Sequence, residues 1–306
     1  MEKIKVFAPA SVANLGCGYD TIGFAVESIG EELTLTKRND SKLVIDEILG
    51  ADLSKDPDQN VATIAIKALL SQLASDQGFD ISIQKFFKPG SGLGSSASSA
   101  SGAVFAANEL LGNPFSRNEL LPFALEGEAF ASKCYHADNV APSLLGGFQV
   151  VRSYEPLDLF QISTDIELKV LIIFPHVQIK TAESKKMLPS EVSVSLARNQ
   201  WGNVAALIHA LHDKDYSLLK RSIEDFIAEP VRSQFIPFYD DVKQIVDEAG
   251  SVGFNISGSG PSMFALFRDD GGVETAIDKI ENLYLNSDFD FSLYRTSIDL
   301  QGCRII

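Results

Sequence analysis

The chain has 306 residues, of which 45% are hydrophobic and 22% are charged, and its formal net charge is −15. This length is enough for a large buried core, in one domain or in two fused domains. A surface this acidic repels polynucleotides and anionic membranes, so neither is expected as a partner.

The start of the chain and its cysteines indicate the compartment. Charged residues follow Met1, and no run of about twenty apolar residues occurs, so neither a signal peptide nor a membrane helix is predicted. The odd number and wide spacing of Cys17, Cys134 and Cys303 argue against a disulfide framework and a structural zinc site. We therefore expect a soluble cytoplasmic protein. The oligomeric state is left open, with a homodimer among the alternatives.

The first half of the chain is predicted to contain short strands, mostly near its start, and three helical segments. Partial alternation of apolar and polar residues predicts strands at 3–9, 31–38, 42–48 and 79–87. Helical patterns occupy 60–74, 95–111 and 116–131, and Asn60 is a suitable N-cap for the first of them.

The second half of the chain is also predicted to contain both strands and helices. Strands are predicted at 146–153, 167–175 and 290–298, strand segments on either side of a glycine turn within 253–267, and helices over most of 180–250 and near 272–284. Because strands and helices come in groups, the sequence predicts an α+β architecture in two lobes and not an alternating doubly wound sheet. The predicted domains are residues 1–150 and 151–306.

Residues 88–103 read "KPGSGLGSSASSASGA" and lie between a predicted strand and a predicted helix. A glycine-rich turn there presents consecutive N–H groups at the positive end of a helix dipole, an arrangement that binds phosphate. A Walker A loop is excluded because no lysine follows Gly94. Gly92, Gly94 and Ala97 match the dinucleotide fingerprint, but helix follows where its second strand should lie. On this stretch alone, a helix packed closely through small residues remains an alternative.

Three motifs in order carry a family resemblance. The stretch "PGSGLGSSASSA" (89–100) resembles the phosphate loop of the GHMP small-molecule kinases, which include homoserine, mevalonate and galactose kinases. "APASVANLGCGYDTIGFAV" (8–26) and "FNISGSGPSMFAL" (254–266) resemble the first and third family motifs, the first in its homoserine kinase form. Segments 126–148 and 229–250 are also similar to homoserine kinases, so the resemblance spans nearly the whole chain.

The resemblance implies a two-lobed GHMP kinase fold with an N-terminal ATP-binding domain and a C-terminal domain. It also implies ATP-dependent phosphorylation of the homoserine side-chain hydroxyl, a step of threonine biosynthesis. Two other functions stay open: another alcohol kinase of the same superfamily, such as a mevalonate kinase, and a nucleotide-binding sensor without catalysis.

For the nucleotide, the resemblance implies phosphate binding by backbone N–H groups of one loop, and Gly94 is expected to stay small so that they can reach the phosphates. The implied loop residues are Lys88, Pro89, Gly90, Ser91, Gly92, Leu93, Gly94, Ser95, Ser96, Ala97 and Ser98. Ser96 and Glu128 are the implied Mg²⁺ ligands, since this ion takes few protein oxygens beside phosphate and water. Glu126 is a rival for the carboxylate.

For the substrate, the resemblance implies Asp20 as partner of the homoserine ammonium and Asn14 as partner of its hydroxyl. Arg232 and a base within 181–186 would bind the carboxylate, to which a guanidinium fork offers two donors. The other implied pocket residues are His136, Asn139, Thr181 and Gly258.

Two residues depart from the family pattern. Lys185 stands where these kinases usually carry the carboxylate-binding arginine, and Lys186 lies beside it; a lysine offers a point charge without the fork. Cys17 stands where proline is more common. It is either a thiol at the mouth of the substrate pocket or a buried, inert cysteine.

The route of the proton is left open. The candidate catalytic residues are Asn14, Asp138 and Asn139. Mevalonate kinases place an aspartate near the accepting hydroxyl, and Asp138 is the aligned residue. The homoserine kinase resemblance implies instead that no side chain takes the proton directly and that the γ-phosphate receives it.

Overall fold

The computed structural model of the protein describes residues 1–177 and 188–306. Its strands are β1 (Lys3–Ala13), β2 (Ile22–Lys37), β3 (Leu43–Leu49), β4 (Phe79–Lys85), β5 (Phe148–Tyr154), β6 (Leu157–Ile162), β7 (Lys169–Pro175), β8 (Gly253–Ile256), β9 (Met263–Phe267), β10 (Phe291–Ser297) and β11 (Arg304–Ile305). Its α-helices are α1 (Val61–Gln72), α2 (Ser95–Leu110), α3 (Leu121–Ser132), α4 (Ala137–Leu145), α5 (Val194–Asp213), α6 (Tyr216–Ser222), α7 (Glu229–Arg232), α8 (Tyr239–Glu248) and α9 (Asp270–Leu285).

The first sheet has seven strands and is covered by the first four helices. Its order is β11–β1–β2–β4–β3, with β5 paired to β2 and β6 paired to β5. The pair β3–β4 is parallel and the other pairs are antiparallel. Leu33 and Phe79 of the sheet are buried in one core with Ile66 of α1, Val104 of α2 and Leu125 of α3. Full burial of side chains of this kind contributes roughly 1.5–3 kcal/mol each, so this core holds α2 in place against the first sheet.

The second sheet has four strands in the order β10–β7–β9–β8. One face packs on α8 and α9, with Val242 and Ile280 in the shared core. The other face packs on the first sheet, where the ring centroids of Phe24 in β2 and Phe264 in β9 are 5.9 Å apart. The two sheets therefore share a buried apolar layer. Within the described ranges, no helix combines the length and the apolar character needed to cross a membrane.

The predicted α+β, two-lobed architecture is confirmed. Asn60 is also confirmed as the N-cap of α1, where its side chain accepts from the N–H of Ala62 at 3.0 Å.

Helix α4 was missed because Pro142 lies inside it and a proline removes an intrahelical hydrogen bond. The acceptor of that bond would be the carbonyl of Asp138, which lies against Gly23, where a Cβ would come within 1.9 Å of it. The packing of α4 on β2 therefore compensates for the proline.

The proposed boundary at residue 150 stays a prediction. It falls inside β5, and the β5–β6 hairpin belongs to the first sheet. The last strand, β11, pairs with β1 in the same sheet, so the C-terminus of the chain returns to the N-terminal lobe.

Candidate active site

A cavity of about 590 Å³ collects residues from all of the predicted motifs. The predicted site residues that line it are Asn14, Asp20, Pro89, Gly90, Gly92, Gly94, Ser95, Ser96, Glu128, His136, Asp138, Asn139, Arg232 and Gly258. Separate segments of the chain, up to more than two hundred residues apart, thus meet at one place. The cavity is the candidate active site.

The remaining predicted residues lie around this cavity or beyond the described ranges. Ser91, Leu93, Ala97 and Ser98 are buried in the loop and the first turn of α2. Lys88 is exposed, and its Nζ is 3.4 Å from Nδ1 of His176. Thr181 and Lys185 fall outside the described residues, as does Lys186, so their roles stay predictions.

The glycine-rich loop has the backbone conformation that its sequence requires. Gly90, Gly92 and Gly94 have φ values of +78°, +89° and +67°, in the left-handed region that favours glycine. Gly94 is also the N-cap of α2. The first N–H groups of a helix have no intrahelical acceptor and lie at the positive end of its dipole. The loop therefore directs donors and positive potential into the cavity.

The three glycines have different neighbours. A Cβ at Gly94 would meet Oγ of Ser11 at 2.2 Å and Oδ1 of Asn139 at 2.8 Å, whereas a Cβ at Gly90 would have nothing within 4 Å. Protein atoms alone therefore require a small residue at Gly94, and the expectation that its size lets the N–H groups reach the phosphates stays a prediction. Gly90 is the position at which an added side chain enters open space.

The loop is held by the first and third motifs. The Ser11 N–H donates to the carbonyl of Leu93 at 3.1 Å, and the Ser262 N–H donates to that of Ser91 at 3.0 Å. Oγ of Ser257 donates to the carbonyl of Gly92 at 2.7 Å. These bonds hold the loop through its carbonyl groups and use none of its N–H groups.

A buried ion pair beneath the loop was missed by the sequence analysis. Lys85 pairs with Glu31 across β4 and β2, and its Nζ donates to Oγ of both Ser95 and Ser99 at 2.9 Å. Ser99 in turn donates to Glu31 at 2.6 Å. The signal in the sequence is that Lys85 continues the buried register of Phe79, Ile81 and Ile83, where a lysine requires a partner.

The opposite end of the cavity joins Asn14, Arg232 and Gly258. Nδ2 of Asn14 and the guanidinium of Arg232 both donate to the carbonyl of Gly258, at 2.9 and 2.7 Å. Oδ1 of Asn14 accepts from the N–H of Asp20 at 3.1 Å. The Arg232 guanidinium also lies over the Tyr19 ring, 5.2 Å from its centroid. Among the described residues, Nε of Arg232 is buried and has no hydrogen-bond partner. This end therefore offers a fixed cation and a carboxylate.

Glu128 lines the same cavity and has one carboxylate oxygen without a partner among the described residues. Its Oε1 is 3.0 Å from Nδ1 of His136, whereas its buried Oε2 has no hydrogen-bond partner in the described part of the chain. The rival carboxylate, Glu126, is exposed. Ser96 lines the same cavity. The described residues contain no group of three or more His, Cys, Asp and Glu suited to a metal. One free carboxylate oxygen and one hydroxyl fit Mg²⁺, which completes its shell with phosphate and water.

Asp138 is a buried carboxyl in the first turn of α4. Burial, reinforced by the nearby charge of Asp20, raises the pKa of Asp138 to about 7, while His136 acts in the opposite direction. Its Oδ1 is buried without a hydrogen-bond partner among residues 1–177 and 188–306. A carboxyl with a pKa near neutrality can take up or release a proton at physiological pH. Both routes for the hydroxyl proton therefore stay open: transfer to Asp138, and transfer to the γ-phosphate without a side-chain base.

Of the two alternatives for Cys17, a thiol at the mouth of the substrate pocket and a buried cysteine, the structure supports the second. It is 2% exposed and does not line the cavity. Burial and then the nearby Asp225 raise the pKa of the Cys17 thiol to about 12. A thiol that stays protonated at neutral pH is a poor nucleophile, so Cys17 is inert and serves packing.

Two family models match the chain. The model described as "GHMP kinases N terminal domain" matches residues 60–147. The model described as "GHMP kinases C terminal" matches residues 207–286. The first matched range contains the glycine-rich loop and Glu128, and the second contains Arg232 and Gly258.

Individual relatives agree with these models. The chain is 40% identical to a homoserine kinase of Chloroherpeton thalassium, over 100% of both chains. A solved homoserine kinase from Cytophaga hutchinsonii has 42% identity and a TM-score of 0.96, and the match covers 100% of this chain and 98% of that one. The mevalonate kinase of L. major, at 18% identity, has a TM-score of 0.73 with 96% and 95% of the two chains covered. This last likeness concerns the fold.

Proposed function

Because the chain belongs to the GHMP kinase family, we propose that it is an enzyme that phosphorylates the side-chain hydroxyl of L-homoserine. The donor is ATP, and the product is O-phospho-L-homoserine, an intermediate of threonine biosynthesis. The match to homoserine kinases over the full length of the chain carries this proposal.

The nucleotide would lie along the side of the cavity formed by α1, β4 and the loop. Leu53, Val61 and Ile83 give this part an apolar lining suited to a base, and Asn60 adds a polar group. The phosphates would then meet the N-terminus of α2, where backbone N–H groups and the helix dipole bind anions. The loop can carry out this task in an acidic protein because its phosphate-binding donors would belong to the backbone.

Homoserine would occupy the end of the cavity that holds Asn14, Asp20 and Arg232. Its ammonium pairs with Asp20 and its carboxylate with Arg232, whose Nε is without a partner among the described residues. Asn14 and Asn139 orient the accepting hydroxyl toward the phosphates. Mevalonate has no ammonium, so a buried acidic side of the pocket favours an amino acid over that alcohol.

Glu128 and Ser96 would hold Mg²⁺, which when bound neutralises charge on the phosphates. His136 fixes the Glu128 carboxylate through the contact at Nδ1. The protein itself contributes position and fixed donors, which are the main requirements of phosphoryl transfer. The hydroxyl proton passes either to Asp138 or to the transferred phosphate.

The experiment that tests this function is ADP release from ATP and Mg²⁺ with a panel of alcohols. The panel contains homoserine, mevalonate and galactose, and the phosphorylated product is identified by mass spectrometry. We expect turnover with homoserine alone. Turnover with mevalonate or galactose in place of homoserine would reassign the substrate. Nucleotide binding without any turnover would make the protein a sensor.

A further inference from the structure

Gln200 of α5 occupies a buried position behind the acceptor end of the cavity. Its Nε2 donates to the carbonyl of Cys17 and to Oδ1 of Asp225, both at 2.9 Å. Its Oε1 accepts from the N–H of Phe226 at 3.0 Å. Both N–H donors and the oxygen of the amide are therefore used. The orientation of the amide is fixed, because exchanging its nitrogen and oxygen would place Oε1 against the Cys17 carbonyl and the Asp225 carboxylate. Gln200 does not line the cavity.

The first partner of Gln200 belongs to the turn that carries two substrate-facing residues. Cys17 lies between Asn14 and Asp20, both of which line the cavity. Asn14 and Asp20 have φ values of 72° and 52°. Side chains other than glycine adopt this left-handed conformation at a cost and keep it only where surrounding contacts impose it. The bond to the Cys17 carbonyl is one such contact, made from the middle of the turn.

The second partner of Gln200, Asp225, lies four residues before the helix that carries Arg232. The Asp225 carboxylate accepts the N–H groups of Ile227 at 2.8 Å, Ala228 at 3.1 Å and Glu229 at 2.9 Å. These residues form the entry to α7, which ends at Arg232. Because a helix of four residues has little stability of its own, its direction depends on contacts such as these, together with those that Glu229 accepts from Tyr239 at 2.8 Å and Asn255 at 2.7 Å.

The front of the cavity shows what this arrangement holds together. Asn14 and Arg232 donate to the same carbonyl, that of Gly258, so their separation is set within one hydrogen-bond geometry. Gln200 joins the same two chain segments from behind, through Cys17 and Asp225. A shift between the segments would change the distance between the hydroxyl-binding amide and the carboxylate-binding guanidinium.

We propose that Gln200 is a positioning residue for the amino-acid substrate. Its amide fixes the turn 14–20 relative to α7, and so sets the spacing between Asn14, Asp20 and Arg232 that homoserine must span. This inference rests on the proposed function. The phosphate loop makes none of the Gln200 bonds, so the effect should fall on homoserine and not on ATP.

The test is steady-state kinetics of the full chain with homoserine and ATP varied separately. Gln200→Met keeps an unbranched side chain of similar length but removes all three hydrogen bonds. We expect its KM for homoserine to rise at least about tenfold while its KM for ATP changes less than about twofold. Should Gln200→Met fail to fold, Gln200→Leu carries the same expectation.

A charge readout separates positioning from simple loss of packing. Gln200→Glu places a carboxylate beside that of Asp225 and removes both donors to Cys17 and Asp225. We expect a larger rise in the KM for homoserine than in Gln200→Met. Adding Asp225→Asn should recover part of the loss, because the new amide can donate to the carboxylate of the Gln200→Glu variant.

The matched control is Gln149→Met. Like Gln200, Gln149 is buried and does not line the cavity, but its Nε2 donates to the carbonyl of Gly146 at 2.7 Å, which belongs neither to the turn 14–20 nor to the segment before α7. This variant should lower the melting temperature and leave the KM for homoserine unchanged. An unchanged KM for homoserine in folded Gln200 variants, or an equal rise in both KM values, would overturn the inference alone. A parent protein that releases no ADP with homoserine would overturn both this inference and the proposed function.

Discussion

The buried charged side chains around the cavity differ in whether all of their polar atoms have partners within the protein. Beneath the phosphate loop, Lys85 and Glu31 are fully buried and bond to each other and to two serine hydroxyls. Elsewhere in the cavity, Glu128 at the proposed Mg²⁺ site and Asp138 and Arg232 at the acceptor end each have one buried polar atom without a partner among the described residues. The ion pair beneath the loop is satisfied without a ligand, whereas Glu128, Asp138 and Arg232 would be satisfied by the groups that they bind.

This difference has an energetic consequence. A buried polar atom without a partner costs about 1–3 kcal/mol, and more if it is charged. The acceptor end therefore lowers the stability of the free protein in exchange for groups that are ready to bind. Substitutions beneath the loop should cost stability, while substitutions at the acceptor end should cost activity and can raise stability.

The largest effect is expected at Glu128. Glu128→Gln keeps the shape of the side chain but removes the charge that would hold Mg²⁺. We expect kcat with homoserine to fall by a factor on the order of 10³ or more, since charge stabilisation of this kind contributes several kcal/mol. Glu126→Gln, on the exposed side of α3, is the control and should retain parental activity. Equal losses in the two variants would contradict the assignment.

A large loss of stability is expected at Lys85. Lys85→Met leaves Glu31 buried without its ion partner, and breaking a buried pair in this way costs about 3–5 kcal/mol. Lys5→Met removes the exposed pair of Lys5 with Glu32, at 2.6 Å in the same sheet, and should cost about 1 kcal/mol or less. Chemical denaturation of both variants measures the difference. Similar losses in the two would show that the pair beneath the loop is not sealed from solvent.

The opposite sign is expected at Asp138. With its pKa raised to about 7, native Asp138 binds a proton that the unfolded chain releases, so stability falls as pH rises from about 4 to 7. Asp138→Asn removes this penalty and should stabilise the free protein at pH 8 by on the order of 2–4 kcal/mol. The gain should nearly vanish at pH 4. A gain that is independent of pH would refute the raised pKa.

The same variant decides the route of the proton. If Asp138 takes the proton of the accepting hydroxyl, kcat of Asp138→Asn should fall about 10²-fold or more. If the variant retains most of its kcat, the proton passes without a side-chain base.

The predictable part of the site is the part that is contiguous in sequence. Gly94, Glu128 and Arg232 each lie within a short motif, so their presence in one cavity could be expected from the resemblance. Lys85 and Glu31 are 54 residues apart, and only the buried register of β4 indicated that Lys85 needs a partner. Gln200 and Asp225 gave no such indication because their bonds depend on how α5 packs against two loops.

Local patterns failed where tertiary packing compensates for an unfavourable residue. Helix α4 contains Pro142 and was not predicted, and Gly23 lets β2 approach the carbonyl of Asp138. The protein contacts that require a small residue at Gly94 were likewise not evident from the sequence. Its neighbours Ser11 and Asn139 come from other segments, so only the folded chain reveals them.

The proposed binding mode places the ammonium of the acceptor at Asp20 and its carboxylate at Arg232. Its most direct test is kcat/KM for homoserine, 4-hydroxybutanoate, which lacks the ammonium, and 3-aminopropan-1-ol, which lacks the carboxylate. These are measured in the parent protein and in Asp20→Asn, a change that the left-handed backbone tolerates. We predict that Asp20→Asn lowers kcat/KM at least about tenfold for both amines and leaves 4-hydroxybutanoate unchanged. An equal loss with all three acceptors would contradict the claim.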